Sequence, residues 1–542
     1  QGDDAQIRLL DTSGTDQFAS MSSEGGIAKL TSRNNTSHGS FSFQSYNGTA
    51  VVERMSISAT GAVSISSGLL TVGSLDIGHG LGAETTNTAL GTDALDATVA
   101  GCIHNTAIGN AALTALNNGT GDYNTVVGSL SADALESGAR NSTLGYGTLS
   151  QSTAGNDNVA VGYTALLNYT GSEATAVGSG AADAAVNATN LTAVGANAAG
   201  AITSGNYTTA VGSNALGTCT EEIGNTAVGS HAGFSVTGEN NVMIGMQSGY
   251  YADDIDHCIA IGRNALLGVD GGTTDGDYNV AIGSYTLDAT TTGHSNVAIG
   301  YNTLTAATDN HSTVAIGHRA MQYADSGEHY NIAIGAYALN TEASGSDGNV
   351  AIGYYSLKTQ DGGTRNTAIG FQSAKLLTDA TDNVFIGYDV AANGTVTGDD
   401  NTVIGADAGY DLTSGYRNVA LGMAAAANIT SNHNNIAIGY YALNKANGGE
   451  HYNIAIGSSA LAEETSGADG CIAIGYNTLR GQDADVDNTA VGHQALFHNK
   501  SGNNSTAFGY GAGYACVDGF NTWIGRSAGG YTGHAAANTA IG

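Results

Sequence analysis

The hydrophobic positions of this chain follow a short repeating pattern from residue 87 onward. The consensus is Asn, then Thr, Val or Ile, then Ala, then Ile, Val or Leu, then Gly, as in the identical stretches EHYNIAIG at 328–335 and 450–457. The pattern occurs 27 times, and successive closing glycines lie 16 to 21 residues apart. A fixed period of this length is the signature of a repeat architecture.

Each pentapeptide predicts a β-strand, because it is too short for a helix and rich in β-branched residues. Side chains alternate along a strand, so positions two and four form a bulky aliphatic face, and Asn, Ala and Gly form a small one. The closing Gly suits a sharp corner with positive φ. The Ala-Leu pair that often follows predicts a second short strand, and the remaining Gly, Asp, Asn, Ser and Thr are turn formers.

One repeat unit therefore predicts one coil of an all-β, parallel β-solenoid in which each coil pairs with its neighbours. About 27 coils spaced roughly 4.8 Å apart would make a rod on the order of 130 Å long. The recurrent Asn predicts a ladder of stacked amides along the axis. In the two identical stretches the predicted structural ladder comprises Asn331, Ala333, Ile334, Gly335, Asn453, Ala455, Ile456 and Gly457.

A coil this short encloses little volume, so its bulky face needs another apolar layer. Identical rolls packed around a common axis would supply that layer, and we expect the chain to associate with itself. The two EHYNIAIG stretches lie seven units and 122 residues apart, and neighbouring units match at the same offset. This favours duplication of a segment over a supercoil with seven coils per turn.

The pattern divides the chain into three parts: an N-terminal module at 1–68, a neck at 69–86 and the repeat array at 87–542. The module lacks the repeat and contains alternating segments such as IAKLTSR and SFSFQSY, separated by Gly-, Ser- and Asn-rich turns. These segments predict short antiparallel strands in a small β-sandwich-like module.

Composition narrows the possible partners. The chain has 80 Gly, no Pro and a net charge of −32, with only 15 Lys and Arg. The lack of Pro fits uninterrupted ladders, and the acidity excludes a nucleic-acid-binding surface and argues against anionic membranes. No stretch is typical of a transmembrane helix. A solvated acidic surface explains the charge; Ca²⁺ binding by Asp-rich loops is the alternative, with Asp253, Asp254 and Asp256 as candidates.

No constellation of residues predicts catalysis or a cofactor. The 14 His are scattered, no metalloprotease, hydrolase or phosphate-loop motif occurs, and no long insertion could build a cleft. The five Cys are far apart and predict buried thiols rather than disulfides. His329 and His451 precede the repeat Asn at equivalent positions and are interpreted as loop residues, as is the whole Glu-His-Tyr prefix. The alternative for these histidines is a metal site formed by three symmetry-related copies on the axis of a trimer. We therefore expect a chain that is not an enzyme.

The residues also carry a family resemblance. The N-terminal segments, with "IRLLDTSGTDQFASMSSEGG" and "ERMSISATGAVSI", resemble the repeated β-module of tail fibres from marine bacteriophages. The N-x-A-I-G array resembles the repeats of those fibres and is similar to the head of trimeric autotransporter adhesins.

The resemblance implies a homotrimer, a left-handed parallel β-roll and attachment to a host through a cell-surface glycan or protein receptor. A virion tail fibre is the function it favours. The passenger of a bacterial surface adhesin and a non-adhesive extracellular filament are the alternatives, the first of which would place the chain on a bacterial cell surface.

Overall fold

The computed structural model describes the backbone of eight short strands before residue 79, then residue 79, residues 86–97, and residues 101–542. Within this last range, 272–273, 325–326, 343–344, 447–448, 464–466, 482–486, 532–533 and 535 are excepted. The chain forms two compact units, 1–196 and 197–542. Every regular element in the described residues is a β-strand.

The strands before the array are antiparallel. Leu9–Leu10, Phe18–Glu24 and Ile27–Arg33 form one sheet, and Phe41–Tyr46, Val51–Ile57 and Val63–Ile65 form another. In the predicted neck, Leu70–Val72 pairs with Leu75–Gly78, which also pairs antiparallel with Thr88–Leu90, the first strand of the array. A strand laid on this edge covers backbone groups that would otherwise be open to another chain. The sandwich and the boundaries of the parts stay predictions.

Each repeat pentapeptide contributes a three-residue strand at its positions two to four. In unit 1 these strands are Thr88–Leu90, Thr106–Ile108, Thr125–Val127, Ser142–Leu144, Val159–Val161, Thr175–Val177 and Thr192–Val194. In unit 2 they are Thr209–Val211, Thr226–Val228, Val242–Ile244, Ile259–Ile261, Val280–Ile282, Val297–Ile299, Val314–Ile316, Ile332–Ile334, Val350–Ile352, Thr367–Ile369, Val384–Ile386, Thr402–Ile404, Val419–Leu421, Ile436–Ile438, Ile454–Ile456, Ile472–Ile474, Thr489–Val491, Thr506–Phe508, Thr522–Ile524 and Thr539–Ile541.

Within each unit, consecutive strands pair in parallel with like positions aligned, so that Val350 faces Thr367 and Ala351 faces Ala368. In unit 2, Tyr323–Ala324 also pairs in parallel with Thr341–Glu342, outside this ladder. The predicted all-β parallel solenoid, with one coil per repeat unit, is confirmed.

The predicted second strand is wrong. The Ala-Leu stretch after each closing Gly is a run of turns in which every second residue is left-handed, as at Tyr337 (φ 58°) and Leu339 (φ 45°). The Tyr337 N–H donates to the carbonyl of His318 in the preceding coil (3.0 Å), and the Leu339 N–H donates to Ser356 in the following coil (3.1 Å). The N–H groups of these two residues, two positions apart, thus bond to opposite neighbouring coils, whereas in an extended strand they would face the same neighbour.

The core of each coil is small. The central Ala of the strand and the Ala-Leu pair of the turns are fully buried, as Ala333, Ala338 and Leu339 show. Where the strand carries Val, Met, Phe or Trp at its centre, Ala or Gly stands in place of the turn leucine. Added Cβ atoms at Gly233 and Gly249 would lie 2.8 Å and 2.6 Å from the Met243 Sδ. The central strand residue and the turn residues therefore occupy the same interior space of the solenoid.

Candidate functional site

The outward strand face is the most extensive apolar feature of the array. Positions two and four of the strands are partly exposed along both units, whereas position three is buried almost throughout. Val350 and Ile352 flank the buried Ala351 in this way, and Ile334 and Ile456 of the identical stretches lie on the same face. The small side chains point into the coil and the bulky ones point out of it.

An Asn ladder runs inside the coil. The Asn331 Oδ1 accepts the backbone N–H of Asn349 (2.8 Å), and its Nδ2 donates to the carbonyl of Ser346 (2.7 Å). Asn453 likewise binds the N–H of Cys471 (2.9 Å) and the carbonyl of Ala468 (2.6 Å). Each amide therefore satisfies two buried backbone groups of the next coil, which would cost about 1–3 kcal/mol each if left unpaired. In several coils, adjacent amides also bond to each other, as Asn124 Nδ2 does to Asn105 Oδ1 (3.0 Å).

The closing glycines bring successive coils into backbone contact. Gly335 has a φ of 137°, and a Cβ on it would lie 2.5 Å from the carbonyl oxygen of Gly353. Gly457 has a φ of 133° and faces Gly475 in the same way. A side chain at these positions would meet both an unfavourable φ and the next coil.

A second side-chain ladder lies two residues before the repeat Asn position, and we call it the acceptor row. Its side chain accepts the backbone N–H of the same position in the preceding coil. Asp256 accepts from Glu239 (2.6 Å), Asn156 accepts from Ala139 (2.8 Å), and His329 accepts through Nδ1 from His311 (3.2 Å). Reasoning from the sequence placed His329 and His451 next to a strand but missed the row. The recurrence of hydrogen-bond acceptors at this offset is the signal that could have found it.

The EHY prefix is not a uniform loop. Its backbone is irregular, but Glu328 and Glu450 are fully buried in the coil interior. The Glu450 carboxylate accepts from the Asn432 side chain and from the Gly467 N–H (3.0 Å). Only the tyrosines of the two prefixes, Tyr330 and Tyr452, are largely exposed, at 67% and 62%.

The aromatic residues after the closing Gly stack along the axis. The rings of Tyr354 and Phe371 lie 5.4 Å apart and 20° from parallel, and those of Phe371 and Tyr388 lie 5.3 Å apart and 8° from parallel. Their faces cover one another, so the row presents ring edges to solvent.

The candidate calcium ligands have separate surroundings. The Asp253 Oδ1 accepts from the Ser235 hydroxyl (2.7 Å), Asp256 belongs to the acceptor row, and Asp254 is exposed. Among the described residues, no group of three or more His, Cys, Asp or Glu is arranged to hold a metal ion. Ca²⁺ binding gains no support from this geometry.

The five cysteines are free and buried. Burial raises the pKa of the Cys258 thiol to about 12 and also raises the pKa of Cys219, for which the nearby Glu222 is a second cause. Thiols held in this form are weak nucleophiles and weak metal ligands. Cys258 stands in the ladder position of the repeat Asn, where its Sγ donates to the Gly276 carbonyl (3.2 Å) and accepts the Asn279 N–H (3.3 Å).

Exposed ion pairs also connect adjacent coils. Arg140 forms two 2.6 Å contacts with Asp157, and Arg365 pairs with Asp382 in the same way. The hydrogen bond from each arginine lowers the pKa of its aspartate. Because these pairs are solvated, they contribute little to stability.

These features define a β-solenoid repeat protein whose polar side chains are used mainly to join one coil to the next. No known protein family matches the chain, and no curated protein or solved structure matches it. The described residues contain no helix with the length and hydrophobicity to cross a membrane.

Proposed function

We propose that the chain forms the solenoid part of a homotrimeric extracellular fibre, a virion tail fibre that spans distance and contributes to attachment to a host surface. The observation that carries this proposal is the outward aliphatic face. In unit 2 it comprises position four of all 20 strands, each apolar, and Val or Ile at position two of 12 of them.

The size of this face favours a stable partner. Covering the remaining exposed part of one such side chain contributes about 0.5 kcal/mol, so the 32 apolar side chains of unit 2 contribute about 16 kcal/mol in all. Association costs roughly 4–15 kcal/mol in lost freedom. The coil interior has no room for these side chains, so the compensating layer comes from outside the coil.

The partner of this face is proposed to be further copies of the same chain. Another copy presents side chains with the same spacing along the axis, so its rows can interdigitate with these over many coils. A closed symmetric assembly covers the face in every copy and leaves no open apolar surface. The number three follows from the resemblance to trimeric fibres and adhesin heads.

The exposed polar surface suits the outside of such a fibre. A net charge of −32 makes assembled fibres repel one another. Receptor contact is proposed at side chains that protrude from the coil, such as Tyr330 and Tyr452, because the ladder positions are occupied in joining coils. The receptor is a glycan or protein of the host surface, and the proposal assigns the chain no reaction.

Immunogold labelling with an antibody against the array tests this proposal on native particles. We expect label at the tails of purified virions, together with peptides of this chain in their mass spectra. Label on bacterial envelopes would instead identify the passenger of a surface adhesin. Label along end-to-end filaments free of particles would contradict both attachment roles.

A further inference from the structure

Five histidines of the acceptor row are stacked in two clusters. The first is His294, His311 and His329 on three successive coils, with ring centroids 4.0 Å and 4.7 Å apart. The second is His433 and His451, with centroids 3.6 Å apart and the Tyr416 ring stacked on the other side of His433 at 4.6 Å.

Three of the five rings accept a backbone N–H through Nδ1, which requires the neutral form of the ring. The Nδ1 atoms of His311, His329 and His451 accept the backbone N–H of His294 (3.3 Å), His311 (3.2 Å) and His433 (3.2 Å). A ring that accepts on Nδ1 carries its proton on Nε2, so it has no lone pair left for a metal ion. Protonation of Nδ1 replaces the acceptor with a donor that faces another donor.

The same arrangement occurs twice. His311, His329 and Asp347 correspond to His433, His451 and Asp469 at the 122-residue offset. In both copies the Asp accepts the N–H of the preceding His, at 2.7 Å for Asp347 and 2.6 Å for Asp469. The buried residues beside the row correspond as well, Asn310 and Glu328 in one copy and Asn432 and Glu450 in the other.

The surroundings of His311 and His433 disfavour the protonated form of these two rings. Burial lowers the pKa of His311, and His294 and His329 lower it further, against the opposing effect of Asp309. Burial and then His451 lower the pKa of His433, with Arg417 adding to the effect and Asp469 opposing it. Other titratable groups beside the two clusters are Asp275, Asp277, Tyr278, Tyr330, Asp347, Tyr416 and Tyr452.

We propose that the two histidine clusters are acid-sensitive joints of the solenoid. At mildly acidic pH, protonation within a cluster removes its Nδ1 contacts and places like charges on stacked rings, and the coils that hold these rings open locally. Elsewhere in the described acceptor row the acceptors are carboxylates, amides or hydroxyls, which keep their acceptor oxygens at this pH. Those coils stay closed.

The direction of the pH dependence follows from the linkage between protonation and folding. A histidine whose pKa is lower in the folded state stabilises the fold fully above the unfolded value of about 6.5. That contribution is lost as the pH falls from there toward the folded pKa. Each ring that titrates in this window changes the opening equilibrium by up to about tenfold per pH unit.

Hydrogen exchange of the full chain, corrected for intrinsic rates, tests the proposal at pH 7.5 and pH 5.5. We expect protection of the amides in 294–330 and 433–452 to fall at least about tenfold at pH 5.5, while segments with Asn or Asp in the row keep theirs. The variant His451→Asn supplies a neutral acceptor, as Asn156 does natively. It should keep 433–452 protected at pH 5.5 while 294–330 still opens.

In the His451→Asn variant the unchanged first cluster therefore serves as an internal control for the second. His318→Asn, outside the acceptor row, is the matched control and should leave both acid responses unchanged. Acid opening of 433–452 in His451→Asn equal to that of the wild type would overturn the proposal. Unchanged protection of both segments in the wild type at pH 5.5 would also overturn the proposal.

Discussion

At the scale of single residues, the fold depends on backbone conformations that side chains normally avoid. Many coils place three non-glycine residues in the left-handed region, as Arg319, Met321 and Tyr330 do between Gly317 and Gly335. Each costs roughly 1 kcal/mol. A backbone hydrogen bond along the axis contributes about the same amount, so the ladder offsets the strain only when the neighbouring coil is in place.

The closing glycines give a direct test at this scale. Gly335→Ala combines a φ of 137° with a Cβ 2.5 Å from the Gly353 carbonyl oxygen, and it should destabilise its coil by more than about 3 kcal/mol. Gly327→Ala is the control, because Gly327 also has positive φ (86°) but no atom within 4 Å of an added Cβ. Thermal unfolding should show a clearly larger loss for Gly335→Ala. Equal losses of stability in the two variants would mean that the contact with Gly353 of the next coil does not determine the cost.

At the scale of the element, the central strand residue and the turn residue fill the interior of a coil together, so a larger residue at one position accompanies a smaller one at the other. In half of the coils Leu in the turn accompanies Ala in the strand, whereas Met243 is enclosed by Gly233 and Gly249. Trp523 follows the same rule, since Cβ atoms at Gly513 and Gly529 would collide with its ring. Close packing explains why the two positions change together.

A double-mutant cycle tests this exchange. Met243→Ala leaves a cavity and should cost about 2–5 kcal/mol, and Gly249→Leu should clash with the Met243 side chain. The double variant restores the Ala and Leu combination found in half of the coils, and Leu tolerates the φ of Gly249 (63°) as it does at Leu339. Denaturation should show the double variant more stable than either single variant. If the stability losses of the two single variants simply added up in the double variant, the two positions would not share interior space.

Much of the coil could be predicted from the sequence, because alternation and spacing are local signals. The strands at positions two to four and the Gly corners follow from residue types that recur in every unit. The turn after Gly could not be predicted, because left-handed Tyr and Leu residues contradict their own propensities and are held by the neighbouring coils. The burial of Glu328 and the Nδ1 contacts of the histidines are likewise set by what the next coil offers.

At the scale of the whole molecule, charge and apolar surface act on different faces. Most of the described acidic side chains are at least partly exposed, with Glu328 and Glu450 among the buried exceptions, while the strand face presents Val and Ile in register. An apolar face this extensive marks an interaction surface. Self-association through it is the central claim of the proposed function.

Sedimentation equilibrium of the full chain tests that claim most directly. The account predicts a mass of about 162 kDa, three copies of the 54.1 kDa chain. Lys at Ile334, Ile369 and Ile404 on the strand face should shift the mass toward that of one chain, because charges would be buried between copies. Lys at the exposed Tyr330, Tyr388 and Tyr452 should leave it unchanged. A wild-type chain that stays at 54.1 kDa at every concentration would contradict the account.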